Sequence, residues 1–276
     1  MIALILCASP FLMILFSCMM LHSPADLGYL PKRIISLVPS QTELLFHLGL
    51  DKAVVGITKF CVHPGEWKTG KTIIGGTKNI NLQKIKQLQP DLIIANKEEN
   101  VKEQVEALAE DYAVWVSDIA VLDDALQMIK DVGQLTNTSV KADELIYKTK
   151  ENFNNLHLPA KKIKTAYLIW RNPYMTVGGD TFIHDMLQRC GVENIFAAVN
   201  RYPAIDVQEL KEKGCELLLL SSEPYPFKQK HIDELQSHLP GTKIILADGE
   251  MFSWYGSRLL HAPGYFNSIF NQPSLS

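Results

Sequence analysis

From Arg33 onward the chain alternates short apolar runs with amphipathic stretches. Residues 34–38, 53–58, 92–95 and 114–117 are brief, rich in β-branched side chains and bounded by Pro, Gly or Asp, which predicts strands. Between them, residues 42–48, 82–88 and 101–109 carry helical spacing. In the last of these Val101, Val105, Leu108 and Ala109 share one face, and Leu122, Ala125, Leu126, Ile129 and Val132 repeat the pattern. Strand and helix in alternation predict an α/β fold with mainly parallel sheets covered on both faces.

The pattern also repeats internally. Residues 82–98 (LQKIKQLQPDLIIANKE) lie without a gap over residues 207–223 (VQELKEKGCELLLLSSE), each a short helix, a turn, a buried strand and a Glu just past it. Residues 45–52 (LFHLGLDK) match residues 187–194 (LQRCGVEN) in the same order. Self-similarity in matching order predicts two related lobes. Residues 138–156 contain no Gly or Pro and follow two capping residues, Asn137 and Thr138. Ala142, Leu145, Ile146, Thr149, Phe153 and Leu156 form one apolar stripe, and Pro159 stops it. Such a helix spans about 28 Å, enough to run between the lobes. The expected organisation is lobe one over 33–136, a spine helix over 137–158 and lobe two over 163–271, the folded domain being 33–271. Open α/β sheets bind ligands beyond their strand C-termini, so the site belongs in a shared crevice.

Composition narrows the class. At 276 residues, 47% hydrophobic and 21% charged, the chain is neither disordered nor a coiled coil. Lys plus Arg number 27 against 30 Asp plus Glu, without a basic run, so nucleic acid is not an expected partner. The five cysteines show neither CxxC nor zinc-ligand spacing, and no metal ligands or cofactor are expected. Residues 1–24 are signal-like or anchor-like: Met1 to Leu21 carry no charged side chain, although Pro10 interrupts them. Leu15-Phe16-Ser17-Cys18 resembles a lipoprotein cleavage site with a bulky Phe16. The segment implies export to the periplasm or cell envelope, or membrane attachment through residues 1–21. A start at Met19 or Met20 would instead leave a cytoplasmic protein.

Residues 65–72 (GEWKTGKT) fit the phosphate-loop pattern G-x-x-x-x-G-K-[ST], but the context is wrong. Pro64 precedes it directly, and Gly75-Gly76 soon after Thr72 would break the helix whose N-terminus must face phosphate. No nucleophile elbow is present. Cys61-Val62-His63 is a weak C-x-H pair, and His231 and His238 are expected on a solvated helix face. The chain is therefore read as non-catalytic. More informative are rings and polar groups at predicted strand ends. Phe60, with Trp67 nearby, and Glu98 stand in lobe one; Trp170, Arg171, Tyr202 and the Ser253-Trp254-Tyr255 turn stand in lobe two. Rings at a crevice mouth suit a bulky, partly planar ligand. Trp115 lies within a strand and reads as core.

Residues 33–45 (RIISLVPSQTELL), 82–95, 96–108 and 190–196 (CGVENIF) resemble, in order, the cobalamin and iron-siderophore type of periplasmic substrate-binding protein, the rigid-spine receptors of ABC importers. The likeness runs from Arg33 to Phe270 and is nearest the cobalamin receptor. It implies a monomer that holds a corrinoid or another metal chelate and passes it to an ABC permease. By position it implies that Pro39, Phe60, Trp170, Tyr202, Ser253, Trp254 and Tyr255 line the crevice. An iron-siderophore or haem ligand, an intracellular corrinoid-binding module without a permease, and a metal-dependent enzyme using His63, Cys61 and Glu98 are the alternatives. Thr77 stands where the cobalamin receptor has a stacking Trp. Thr72 and Gln208 stand where the family carries permease-docking carboxylates, with Glu66 and Glu209 beside them. Cys190 matches half of a family disulfide, but no cysteine lies near the C-terminus.

Magnesium-ATP is expected to leave the melting temperature unchanged and to remain unhydrolysed. A Lys71→Ala-sensitive ATPase activity in pure protein would contradict this reading of residues 65–72.

Overall fold

The computed structural model describes residues 19–270. Lobe one opens with β1 (Met20–Leu21) and a 3-10 turn, Pro24–Asp26, then runs β2 (Ile34–Ser36), α1 (Pro39–His47), β3 (Val54–Ile57), α2 (Gly65–Gly70) and β4 (Thr72–Ile73). It continues with α3 (Leu82–Leu88), β5 (Leu92–Asn96), α4 (Lys102–Ala109), β6 (Val114–Ser117) and α5 (Leu122–Leu135). The connecting helix α6 spans Ser139–Asn154. Lobe two holds β7 (Lys164–Leu168), β8 (Tyr174–Met175), α7 (Phe182–Arg189), β9 (Glu193–Asn194), β10 (Ala204–Ile205), α8 (Val207–Glu212) and β11 (Leu217–Ser221). It ends with α9 (Gln229–His238), β12 (Lys243–Ala247), α10 (Gly249–Ser253), a 3-10 turn at Ser257–Leu260, and α11 (Ala262–Phe270).

The first sheet is ordered β1-β6-β5-β2-β3-β4 and the second β12-β11-β7-β9, with every pairing in both parallel. The small β8–β10 ribbon is antiparallel. Leu92, Ile93 and Ile94 in β5 and Leu217 to Leu220 in β11 are wholly buried, as central parallel strands covered on both faces require. Met20 and Leu21 pair with Val114 and Trp115, so the end of the apolar N-terminal stretch is an edge strand of lobe one. The anchor and Cys18 readings fall on residues outside those described.

The sequence repeat is a structural repeat down to its caps. Asn81 accepts from the Lys84 amide at 3.0 Å to start α3, and at the matching position Asp206 accepts from the Glu209 amide at 2.9 Å to start α8. Both helices then turn through a left-handed residue, Gln89 at φ 45° and Gly214 at φ 65°. Gly49 and Gly191, after α1 and α7, are the other equivalent pair with positive φ.

Three details differ from the sequence expectation. Helix α1 starts at Pro39, ahead of residue 42, because Pro supplies a helical φ and needs no N–H at the first position. The spine is Ser139–Asn154, shorter than 138–156; it buries Ala142, Leu145, Thr149 and Phe153 as the stripe predicts. His231 is buried, not solvated: its Nδ1 accepts from the Lys228 amide at 2.8 Å, and its ring packs against Tyr225 and Phe227. Of the residues that fit the phosphate-loop pattern, Gly65–Gly70 form α2 and Thr72 opens β4, and Lys71 pairs with Asp51 at 3.0 Å. Cys61, Cys190 and Cys215 are free and buried.

The Gln89/Gly214 pair yields opposite signs. Gln89→Gly removes a side chain from a left-handed turn and should stabilise by up to about 1 kcal/mol, whereas Gly214→Ala should cost about 1 kcal/mol. Denaturant melts of the two variants check this; destabilisation by Gln89→Gly would contradict it.

Candidate functional site

The strand ends of the two lobes meet across a crevice. In lobe one, β5 ends at Asn96, whose Oδ1 accepts from the backbone amides of Glu98 at 2.8 Å and Glu99 at 3.1 Å. That local turn, preferred by Asn, projects both carboxylates past the sheet. Asn96 Nδ2 donates to the Ser117 carbonyl at 3.0 Å and fixes the neighbouring strand end. The repeat-related position in lobe two is Ser221, whose Oγ accepts from the Glu223 amide at 3.3 Å. The same device therefore places one Glu beyond each central strand.

Glu223 holds Trp254, which packs against His63 of lobe one. Its Oε1 accepts from Ser253 Oγ at 2.9 Å and from Trp254 Nε1 at 2.8 Å. Trp254 is only 6% exposed, with His63 edge-on at 5.5 Å and the Arg258 guanidinium 5.3 Å from its ring. Arg258 bridges Glu43 of α1 at 2.7 Å and Glu250 of α10 at 3.2 Å, and His63 Nε2 meets Glu250 at 3.1 Å. On the other side of the crevice Glu98 pairs with Arg201, and Tyr202 donates its hydroxyl to Glu98 at 3.2 Å. Asp180 holds the Arg201 amide at 2.5 Å.

The crevice holds a space of about 140 Å³, lined by the polar Glu98, Glu99, Asp118, Asp180, Arg201 and Tyr202 and by Ile119, Phe182, Ile183 and Tyr255. Burial pushes the Tyr202 and Tyr255 hydroxyls up, with Glu98 and Glu99 adding to it, so both remain neutral donors. Burial also raises the Glu99 carboxyl; Lys78 pulls it down and Glu98 pushes it further up. Glu223 is raised by burial against the lowering effect of its Ser253 and Trp254 hydrogen bonds.

Of the residues singled out in the sequence, Glu98, Tyr202, Ser253 and Tyr255 line this crevice. Pro39 is half-buried at the start of α1, and Phe60 is exposed beyond β3, with Lys59 Nζ 5.0 Å from its ring. Trp170 is 41% exposed on lobe two, edge-on to Tyr225 at 5.8 Å. Three expectations are corrected. Trp67 is 2% exposed, buried in the lobe-one core against Phe46, so it faces no ligand. Arg171 is committed to Glu234 of α9 at 2.8 Å and lies outside the crevice lining. Trp254 stands behind the lining, in the packing between lobes. Sequence reading missed Asp118, Asp180, Phe182 and Arg201. Asp118 directly follows a predicted strand and was accessible to the same strand-end rule; Arg201 is positioned by a loop that carries no local pattern. Among the described residues no group of three or more His, Cys, Asp or Glu is arranged to hold a metal ion.

Glu99 makes stability pH-dependent with a definite sign. Its folded-state value is raised, so the folded protein binds more protons than the unfolded one, and stability falls as pH rises through that interval. Glu99→Gln should therefore raise the melting temperature at neutral pH. The gain should shrink as pH falls toward the ordinary carboxylate value. A variant less stable at pH 7 than at pH 5, relative to the parent, would contradict this.

Residues 34–244 match the sequence model of the family described as periplasmic binding protein. An ABC transporter substrate-binding lipoprotein of Bacillus subtilis is 30% identical over 179 residues, 60% of this chain and 56% of that protein. The chain thus spans a little over half the length of that relative. A vitamin B12-binding protein of Pectobacterium carotovorum is 23% identical over 240 residues, covering 84% of this chain and 86% of its own. Among solved structures, a periplasmic haem-binding protein of Vibrio cholerae superposes with a TM-score of 0.75 at 19% identity, over 87% of this chain and 99% of that one. Such proteins act in the periplasm or cell envelope and bind their solute without transforming it. With its two parallel-sheet lobes and single connecting helix, and with residues 34–244 matching the family model, the chain belongs to the periplasmic binding protein family.

Proposed function

We propose that this chain is the receptor for a bulky metal chelate, a corrinoid, which it delivers to an ABC permease. The observation that carries the reading is the crevice itself. Lobe one contributes the strand-end carboxylates Glu98, Glu99 and Asp118, and lobe two contributes Phe182, Tyr202 and Tyr255. Phe60 and Trp170, exposed beyond strands of opposite lobes, would add stacking surface at the rim. B12-binding relatives cover most of the chain, which favours a corrinoid. At about 140 Å³ the crevice lies below the ~300–1,000 Å³ of small-molecule pockets, so ligand entry must part the Glu98–Arg201 contact. The corrin ring then supplies several hundred Å² of surface, which at roughly 25 cal/mol per Å² supports micromolar or tighter affinity after ordering costs. For docking, Glu66 in the first turn of α2 is exposed, whereas Glu209 is engaged with the Asp206 amide at 2.9 Å in the α8 cap.

Calorimetry with cyanocobalamin, a ferric siderophore and haem tests this. Cyanocobalamin is expected to bind with micromolar or lower Kd, and Trp170→Ala to weaken it roughly 5- to 150-fold if that ring stacks on the ligand. Binding of haem or the siderophore with no response to cyanocobalamin would overturn the corrinoid assignment.

A further inference from the structure

The crevice lining is unbalanced in both charge and hydrogen-bonding sense. Four carboxylates, Glu98, Glu99, Asp118 and Asp180, face one guanidinium, Arg201, and that guanidinium is already committed to Glu98. Lys97 reaches Asp118 at 2.5 Å, and Lys78 donates to the Glu98 carbonyl, but neither lysine is part of the lining. An ionised carboxylate only accepts hydrogen bonds. Among the described residues the Glu99 carboxylate takes neither a hydrogen bond nor an ion pair, and the Glu98 charge acts against its ionisation. A second, independent feature points the same way. Tyr255 is 5% exposed, yet it lines the crevice, and among the described residues its hydroxyl has no hydrogen-bond partner. An open carboxylate and an open hydroxyl donor facing one space suit a ligand that brings both an N–H donor and a carbonyl acceptor.

We infer that the crevice selects its chelate by the charge of its fringe, taking one rimmed with neutral amides and rejecting one rimmed with carboxylates. The inference rests on the receptor reading above and deepens it. An amide arm offers N–H to Glu99, Asp180 or Glu98 and a carbonyl to Tyr255 or Tyr202. A carboxylate arm offers only acceptors, and each added negative charge meets like charges in a partly desolvated space, where they are poorly screened. An anionic chelate would have to take Arg201 from Glu98 and leave that carboxylate unpaired.

Two probes share one ring and differ in fringe: dicyanocobinamide carries amide arms, and dicyanocobyrinic acid carries carboxylates in their place. Titrated into the full chain, the amide probe is expected to bind at least tenfold more tightly at low ionic strength. The gap should narrow with added salt and in Glu99→Gln, whose parent side chain holds no structural hydrogen bond. Tyr255→Phe should weaken the amide probe several-fold, because its carbonyl then loses the hydroxyl donor. Equal or tighter binding of the carboxylate probe would overturn charge selection while leaving the receptor reading intact. So would a gap indifferent to both salt and Glu99→Gln. Binding of neither probe would overturn both readings.

Discussion

A guanidinium held between two carboxylates of opposite lobes fixes the spacing on which the crevice depends. Arg258 is 13% exposed and Glu43 and Glu250 are each 20% exposed, so the bridge is largely withdrawn from water. Removing one partner from this partly desolvated set destabilises it, because the other charge is left uncompensated. Trp254 lies against the same guanidinium and is itself anchored by Glu223, which ties the bridge to the end of β11. The α6 helix limits how far the lobes can separate, and Arg258 limits how they sit when together. A change in lobe spacing would move Tyr255 and Glu98, two residues of the crevice lining, relative to each other.

At the opposite side of the crevice stands a contact of a different kind. Arg201 is more than half exposed, and its pairing with Glu98 is therefore weaker than the Arg258 bridge. The two ion pairs differ in shielding: Arg258 and its partners are largely withdrawn from water, whereas Arg201 faces it. This asymmetry suits a receptor that must admit a ligand much larger than the enclosed space without losing its overall arrangement. It also places the yielding contact on Glu98, the carboxylate that the repeat delivers to the crevice.

Much of this architecture was legible in the sequence because its signals are local. Residues 82–98 and 207–223 contain their own caps, turns and buried runs, so α3–β5 and α8–β11 could be read and superposed without a structure. The left-handed turn was visible at Gly214 and hidden at Gln89, where the backbone takes the same shape without glycine. The site was legible only in part, for a physical reason. The strand-end rule locates residues near a crevice but is blind to which way a ring turns. Trp67 and Trp254 satisfy it and turn into protein, and Arg171 satisfies it and finds Glu234. Arg201 fails it, because a loop held by Asp180 brings it to the crevice from elsewhere. His231 reads as a surface residue in a charged helix, yet an aromatic cluster formed by the preceding loop encloses it.

The assignment of a corrinoid to the crevice meets its most direct test in protein purified from its native host without added ligand. Released small molecules should show the visible absorbance of a cobalt corrin and a corrinoid mass, in an amount that falls when Tyr255 is replaced by Ala. Release of haem or a ferric siderophore from the wild-type protein, with no corrinoid present, would contradict it.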